Sequence, residues 1–226
     1  MIELNKIYCA DSLELMKEIP DKSIDLVLTD PPYLIAYKTS HRKDKTHEFC
    51  SEIQGDNDYK LISDYIKECY RILKDNTALY MFCSQDRIDY FKIETERYFD
   101  IKNIIIWIKN NWTAGDLACQ FGKQYEMIIY ANKGKSQING KRLTDIWQCD
   151  RIVGNEQFHQ NQKPIDILQR AILCSSKENN IVFDGMAGSG STLVACKALN
   201  RRYIGIEKEQ KYVDICNNRL RQEYLL

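Results

Sequence analysis

The chain has 226 residues, 44 % apolar and 28 % charged, which is ordinary for one globular α/β domain with a sizeable core. Lys plus Arg and Asp plus Glu both number 32, so net charge points to no polyanionic partner and any basic surface must be local. Nine cysteines, an odd count with no C-x-x-C pair, argue against a disulfide framework and against a zinc site; with no 18-residue apolar run and no leader pattern at Met1 to Lys6, a soluble protein of a reducing cytosol without a membrane partner is expected.

Leu4 to Cys9 reads as a short strand. Ala10, Asp11 and Ser12 follow as turn and helix cap, and Leu13, Leu15, Met16 and Ile19 give a short amphipathic helix stopped at Pro20. Ile24 to Thr29 is an apolar run with one acid, Asp25, as in a strand buried on both faces. Pro31 and Pro32 end it because neither can donate to a sheet ladder, leaving Asp30 and Tyr33 beyond its carboxyl end. Open α/β sheets bind their ligands there. Asp30-Pro31-Pro32-Tyr33 offers a carboxylate, a rigid carbonyl and an aromatic face, the set that a planar heterocyclic amine needs. Taken alone, the tetrapeptide is equally a tight turn.

Residues 34 to 58 are polar, aperiodic and long for a loop, which suggests a mobile lid. Lys38, Arg42, Lys43 and Lys45 within it are either a solvated face or an arm for phosphates. Helices are expected at Tyr59 to Leu73 and Arg87 to Tyr98, and strands at Ala78 to Cys83, Ile101 to Ile108 and Tyr125 to Ala131. Between 132 and 158 the pattern weakens. Lys133, Lys135, Lys141 and Arg142 stand there without an acid until Asp145, so the stretch reads as a decorated loop or as a small recognition insertion that meets a polyanion.

Order returns with a helix from Pro164 to Cys174 and a strand Ile181 to Asp184. Gly185-Met186-Ala187-Gly188-Ser189-Gly190-Ser191-Thr192 is a glycine-rich turn opening a helix, Leu193 to Leu199; Arg202 to Ile206 is a strand ending at Glu207, and Tyr212 to Leu220 is a closing helix. Strands alternating with helices predict a doubly wound, mostly parallel sheet of Rossmann-like type. The glycine turn offers N–H groups to an anion, and Glu207, 19 residues after Gly188, is placed to accept from ribose hydroxyls. Ser191 stands where a P-loop needs lysine, and Leu193 where a dinucleotide fingerprint needs its third glycine. The implied ligand is a nucleoside with a small anionic end and no polyphosphate, a description that S-adenosylmethionine fits.

With Ile7 to Ser12, Asp30 to Tyr33, Trp107-Ile108-Lys109, Phe158 to Pro164 and Arg202 to Glu207 in this order, the chain resembles the amino-methyltransferases of DNA, in the circularly permuted class whose catalytic motif precedes the cofactor loop. The resemblance spans nearly the whole chain and implies a class I S-adenosylmethionine-dependent methyltransferase fold in one domain. It implies that Ala10, Asp11 and Ser12 meet the adenine end of the cofactor and Glu207 its ribose. Asp184, Gly185, Met186, Ala187, Gly188, Ser189, Gly190, Ser191 and Thr192 would face the methionine part, with His159, Asn161, Gln162 and Lys163 closing over it. Asp30, Pro31, Pro32 and Tyr33 would hold the target base, flipped from double-stranded DNA and stacked on Tyr33.

Two departures stand out: the family usually has Asp-Pro-Phe where this chain has Asp184-Gly185-Met186, and His-Pro-Thr-Gln-Lys-Pro where it has His159 to Pro164. By family habit Asp30 implies adenine N6, with cytosine N4, an RNA base or a DNA-binding relative without turnover as the alternatives. A bacterial or phage enzyme of the cytoplasm is expected. A nuclease domain has no room in the chain, so a restriction endonuclease working with it would be a separate protein; a homodimer stays open.

Overall fold

The computed structural model describes residues 2–35, 55–112, 118–152 and 162–222. Most of the expected lid at 34–58, with Lys38, Arg42 and Lys43, lies outside the described residues, as do His159, Asn161 and residues 153–158.

The chain runs β1 (Lys6–Cys9), α1 (Ser12–Met16), β2 (Ile24–Thr29), α2 (Tyr59–Ile72), β3 (Leu73–Cys83), α3 (Ile88–Glu96), β4 (Asp100–Ile108), β5 (Tyr125–Lys133), β6 (Ile146–Gln148), α4 (Ile165–Ser175), β7 (Ile181–Asp184), α5 (Ser191–Ala198), β8 (Arg202–Glu207) and α6 (Gln210–Arg221). The eight strands form one sheet in the order β1-β8-β7-β2-β3-β5-β4-β6. Only β5 runs against the others: it is antiparallel to β3 and β4, and every other pairing is parallel. This is the doubly wound, mostly parallel sheet that the alternating pattern predicts.

β2 shows why the sheet sits in the middle. Leu26 and Leu28 enter the cluster that β2 shares with Ile167 and Leu168 of α4 and with Leu193 of α5. Val27 points the other way, among Ile62, Tyr65 and Ile66 of α2 and Phe91 of α3. All three are at most 1 % exposed, so each stabilises the fold by about 1.5–3 kcal/mol. The lone acid of this strand is satisfied, because Asp25 accepts Lys74 Nζ at 2.7 Å and the Ile181 N–H at 2.8 Å.

The stretch from 132 to 158 departs from expectation. Asn132 and Lys133 complete β5, and β6 adds an edge strand that places Trp147 in the core, 4 % exposed. The proposed insertion is therefore tied to the sheet at both ends of its described part, by the last residues of β5 and by β6, with residues 134–145 connecting them outside any strand.

Candidate active site

The carboxyl ends of β2, β7 and β8 meet where the chain order reverses across the sheet, and a cavity of about 510 Å³ opens there. Asp30, Pro31 and Pro32 line one side of it. The other side is built by Ala10, Asp11 and Ser12, by Asp184 to Ser189 with Ser191 and Thr192, and by Glu207; Gln162 and Lys163 also reach it. Residues expected to serve two purposes, holding a nucleoside and holding an amine, thus share one space.

The cofactor side is set by backbone chemistry. Gly188 and Gly190 have φ of 50° and 79°, the left-handed region that favours glycine. A Cβ on Gly190 would also overlap Cys216. The turn is clamped from both flanks: Glu207 Oε2 accepts the Gly188 N–H at 2.9 Å, and Glu207 Oε1 accepts the Glu209 N–H at 2.8 Å. Arg219 of α6, buried to 5 % exposure, donates to the Ser189 carbonyl at 2.7 Å and to the hydroxyl oxygens of Ser189 and Ser191. The Lys208 backbone also donates to Glu207, so three main-chain N–H groups hold the carboxylate, and it lines the cavity with a lone pair left for a hydroxyl. Asp11 Oδ1 caps α1 through the Leu13 and Glu14 N–H groups, and its Oδ2 lies 3.7 Å from Lys208 Nζ.

Asp184 anchors the floor. Its Oδ1 accepts from Thr29 Oγ1 and from the Met186 N–H, both at 3.1 Å, and Thr192 adds a further bond. Burial outweighs these bonds and pushes the carboxyl up to about 7. The departure to Gly185 also has a structural use. Its N–H donates to Tyr65 Oη at 3.1 Å, a bond proline could not make, and a Cβ there would come within 2.7 Å of the same hydroxyl.

On the amine side, Tyr33 does more than offer a ring. Its Oη stands 2.8 Å from Asp30 Oδ1 and 2.7 Å from Glu126 Oε2. Lys163 Nζ donates to Asp30 Oδ2 at 2.5 Å and lies 3.4 Å from Glu126 Oε2. Lys109 Nζ donates to Glu126 Oε1 at 2.6 Å. Burial raises the Asp30 carboxyl, with Lys163 opposing and Glu126 adding to the rise. Burial also pushes Glu126 upward, but Lys163 and Lys109 outweigh it and hold that carboxyl at about 2.

Lys163 lines the cavity, and its ammonium pairs with Asp30 and Glu126. Glu126 was not singled out from the sequence, although a lone acid in the apolar run of β5 carries the same signal as Asp25 in β2. Lys133 cannot meet phosphate as expected: it is 6 % exposed and donates to the Tyr70 and Leu73 carbonyls at 2.6 and 2.7 Å, closing the carboxyl end of α2. Lys135, Lys141 and Arg142 are exposed; Lys135 sits with Lys133 at the end of β5 away from Glu126, where its N–H donates to Asn76 Oδ1 at 3.0 Å. Seven strand residues separate that end from the site, roughly 23 Å.

Comparison with known proteins agrees with this geometry. A family model described as DNA methylase, for N6 and N4 modification, matches residues 24–218. The chain is 32 % identical to the type II methyltransferase M.HinfI of Haemophilus influenzae, with 97 % of this chain and 69 % of that protein covered. It is 31 % identical to the type II methyltransferase M2.LlaDCHI of Lactococcus lactis subsp. cremoris, over 93 % and 87 % of the two chains. Among solved structures, a complex of M1.HpyAVI with S-adenosylmethionine superposes with a TM-score of 0.75 at 28 % identity, covering 96 % of this chain and 99 % of the other. PvuII DNA methyltransferase, described as cytosine-N4-specific, shares the fold at a TM-score of 0.78 and 16 % identity, over 97 % and 87 %.

Proposed function

We propose, for a chain that belongs to the DNA methylase family of N6 and N4 amino-methyltransferases, that it transfers the methyl group of S-adenosylmethionine to the N6 amine of adenine at a specific site in double-stranded DNA. The observation that carries this reading is the shared cavity, in which the Asp30 carboxylate and the glycine turn between Asp184 and Glu207 face the same space. The residues fit the cofactor. Glu207 lines the cavity with a lone pair left for a ribose hydroxyl, and Asp184, once ionised, answers a cationic methionine end.

Bound S-adenosylmethionine supplies an electrophilic methyl on a sulfonium. The protein's part is to make a poor nucleophile competent, since the lone pair of an exocyclic amine is delocalised into its ring. Asp30 and the Pro31 carbonyl accept the two amine hydrogens and favour a pyramidal nitrogen. Transfer would leave the nitrogen with a strongly acidic N–H, and the Asp30 carboxylate beside it is the group of this chain that would take that proton and pass it to water. With no covalent enzyme intermediate, positioning and electrostatics carry the rate. Tyr33 supplies a face for the flipped base.

The DNA is placed at the Asp30 end of the sheet. Support comes from the connection between β4 and β5, which holds Trp112 and Phe121 at 67 % and 99 % exposure. Such rings suit stacking in a duplex opened by base flipping. We place the enzyme in the bacterial cytoplasm, in a bacterial or phage-encoded system, with a separate endonuclease as its partner, on the strength of its type II methyltransferase relatives. Among the described residues no helix is long and apolar enough to cross a membrane.

Incubating unmethylated genomic DNA with labelled S-adenosylmethionine and identifying the modified nucleoside tests the reading. N6-methyladenine is expected, N4-methylcytosine would correct the base, and no label in DNA would overturn the reading.

A further inference from the structure

Glu126 has no assigned part in the transfer, yet it touches both groups bonded to the Asp30 carboxylate, Tyr33 and Lys163. With Asp30, Tyr33 and Lys163 it closes a ring: Asp30 Oδ2 to Lys163 at 2.5 Å, Lys163 to Glu126 Oε2 at 3.4 Å, Glu126 Oε2 to Tyr33 at 2.7 Å and Tyr33 to Asp30 Oδ1 at 2.8 Å. Lys109 holds the other Glu126 oxygen from outside the ring. Two anions and two cations thus balance in a pocket where Lys163 is 6 % exposed and Lys109 14 %. Buried charge of this kind is costly unless paired, so each member fixes the others.

We propose that Glu126 is a positioning residue for methyl transfer, which shares Lys163 with Asp30 and holds the Tyr33 hydroxyl, and so sets the direction and the charge of the carboxylate that receives the target amine. This rests on the amino-methyltransferase reading above. The Tyr33 hydroxyl has a single proton for two carboxylate oxygens, so the ring couples Asp30 to Glu126 rather than leaving either independent. Without Glu126, Lys163 would turn wholly to Asp30 and compete with the amine for Oδ2. Without Lys163, the two carboxylates would repel across one hydroxyl. Glu126 stays ionised, because two ammonium groups hold its carboxyl at about 2 against the pull of burial, so its action is electrostatic and it takes no proton from the amine.

The groups facing Asp30 are Lys163, Glu126, Tyr33, Asp184 and Cys83; those facing Glu126 are Lys109, Lys163, Tyr33, Asp30 and Cys83. Of the neighbours of Asp30, Glu126 favours its neutral form and Lys163 its ionised form. The two substitutions should therefore move the acid limb of the reaction in opposite directions.

The test is single-turnover methylation of genomic DNA at saturating cofactor, from about pH 5 to about pH 9, by the wild type, Glu126→Gln and Lys163→Met, with cofactor affinity measured in parallel. Glu126→Gln should lower the maximal rate on the order of tenfold and shift the acid limb to lower pH, with cofactor affinity unchanged. Lys163→Met should shift the limb to higher pH. The double variant should cost less than the two single effects multiplied, because the pair acts as a unit. A Glu126→Gln enzyme with wild-type rate and limb overturns the inference and leaves the methyltransferase reading standing. So does an equal loss of rate in both variants with the limb unmoved, which would mark a merely structural pair. Should Glu126→Gln not fold, the Lys163→Met limb decides alone, and a limb at the wild-type pH is the contrary result. A wild type that transfers no methyl group to DNA overturns both.

Discussion

The Glu207 carboxylate accepts the Gly188 N–H at 2.9 Å, so the acid that ends β8 also holds the turn that follows β7. One residue then serves the ribose and the shape of the loop that cradles the rest of the cofactor. Glu207→Ala should weaken S-adenosylmethionine binding by at least about 1.5–3 kcal/mol, the range for bonds to a charged group. Glu207→Gln, which keeps one acceptor, should lose less. Calorimetry on the folded variants checks both, and an Ala variant with wild-type affinity would remove Glu207 from the cofactor site.

Asp184 predicts a pH signature. Burial raises its carboxyl to about 7 in the folded chain, from an ordinary value near 4. The folded state therefore holds a proton that the unfolded state releases, and this contribution to stability is present below about pH 4 and is lost as pH rises towards 7. Cofactor binding runs the other way. A cationic methionine end favours ionised Asp184, so affinity should rise with pH up to about 7 and level off above it, with proton release on binding below that point. Calorimetry in two buffers of different ionisation enthalpy reads the released proton, and Asp184→Asn should abolish the trend. An affinity independent of pH in the wild type would place the charge elsewhere.

The exposed rings of the β4–β5 connection predict where DNA lies. Phe121→Ala should impair methylation of a fully paired duplex by about tenfold or more, and the loss should shrink when the target base faces an abasic site, because flipping then costs less. Neutralising Lys135, at the opposite end of β5, should leave the salt dependence of DNA binding unchanged, since a lost phosphate contact would flatten the slope by roughly 0.9. Titrations of binding against salt separate the two ends of the sheet. A flattened slope in the Lys135 variant, with an unaffected Phe121→Ala, would put the duplex at the far end.

How much of this was legible in the sequence depended on whether a signal was local. The apolar run of β2, the stop at Pro31 and the glycine turn are all set by neighbours in the chain, and each falls where expected. Lys133 looked like one of a basic group because its partners, the Tyr70 and Leu73 carbonyls, are 63 and 60 residues away. β6 has three residues, too few for a period, and only its central residue, Trp147, is buried. Glu126 was readable in principle: an acid inside an apolar strand needs a partner. Which partner depends on Lys163 arriving from the start of α4, and no spacing announces that.

Asp30 carries the central claim. Its loss should not disturb the fold, because Lys163 keeps Glu126 as a counterion 3.4 Å away and Pro31 and Pro32 still end the strand. The decisive measurement is single-turnover methylation of duplex DNA by Asp30→Ala at saturating S-adenosylmethionine, with cofactor affinity determined alongside. Cofactor binding should stay within about twofold while the methylation rate falls on the order of 100-fold or more, as when one preorganised electrostatic group is removed from a site. Near wild-type turnover in Asp30→Ala would show that Asp30 to Tyr33 is a structural turn, and the assignment of the amine site to it would fail.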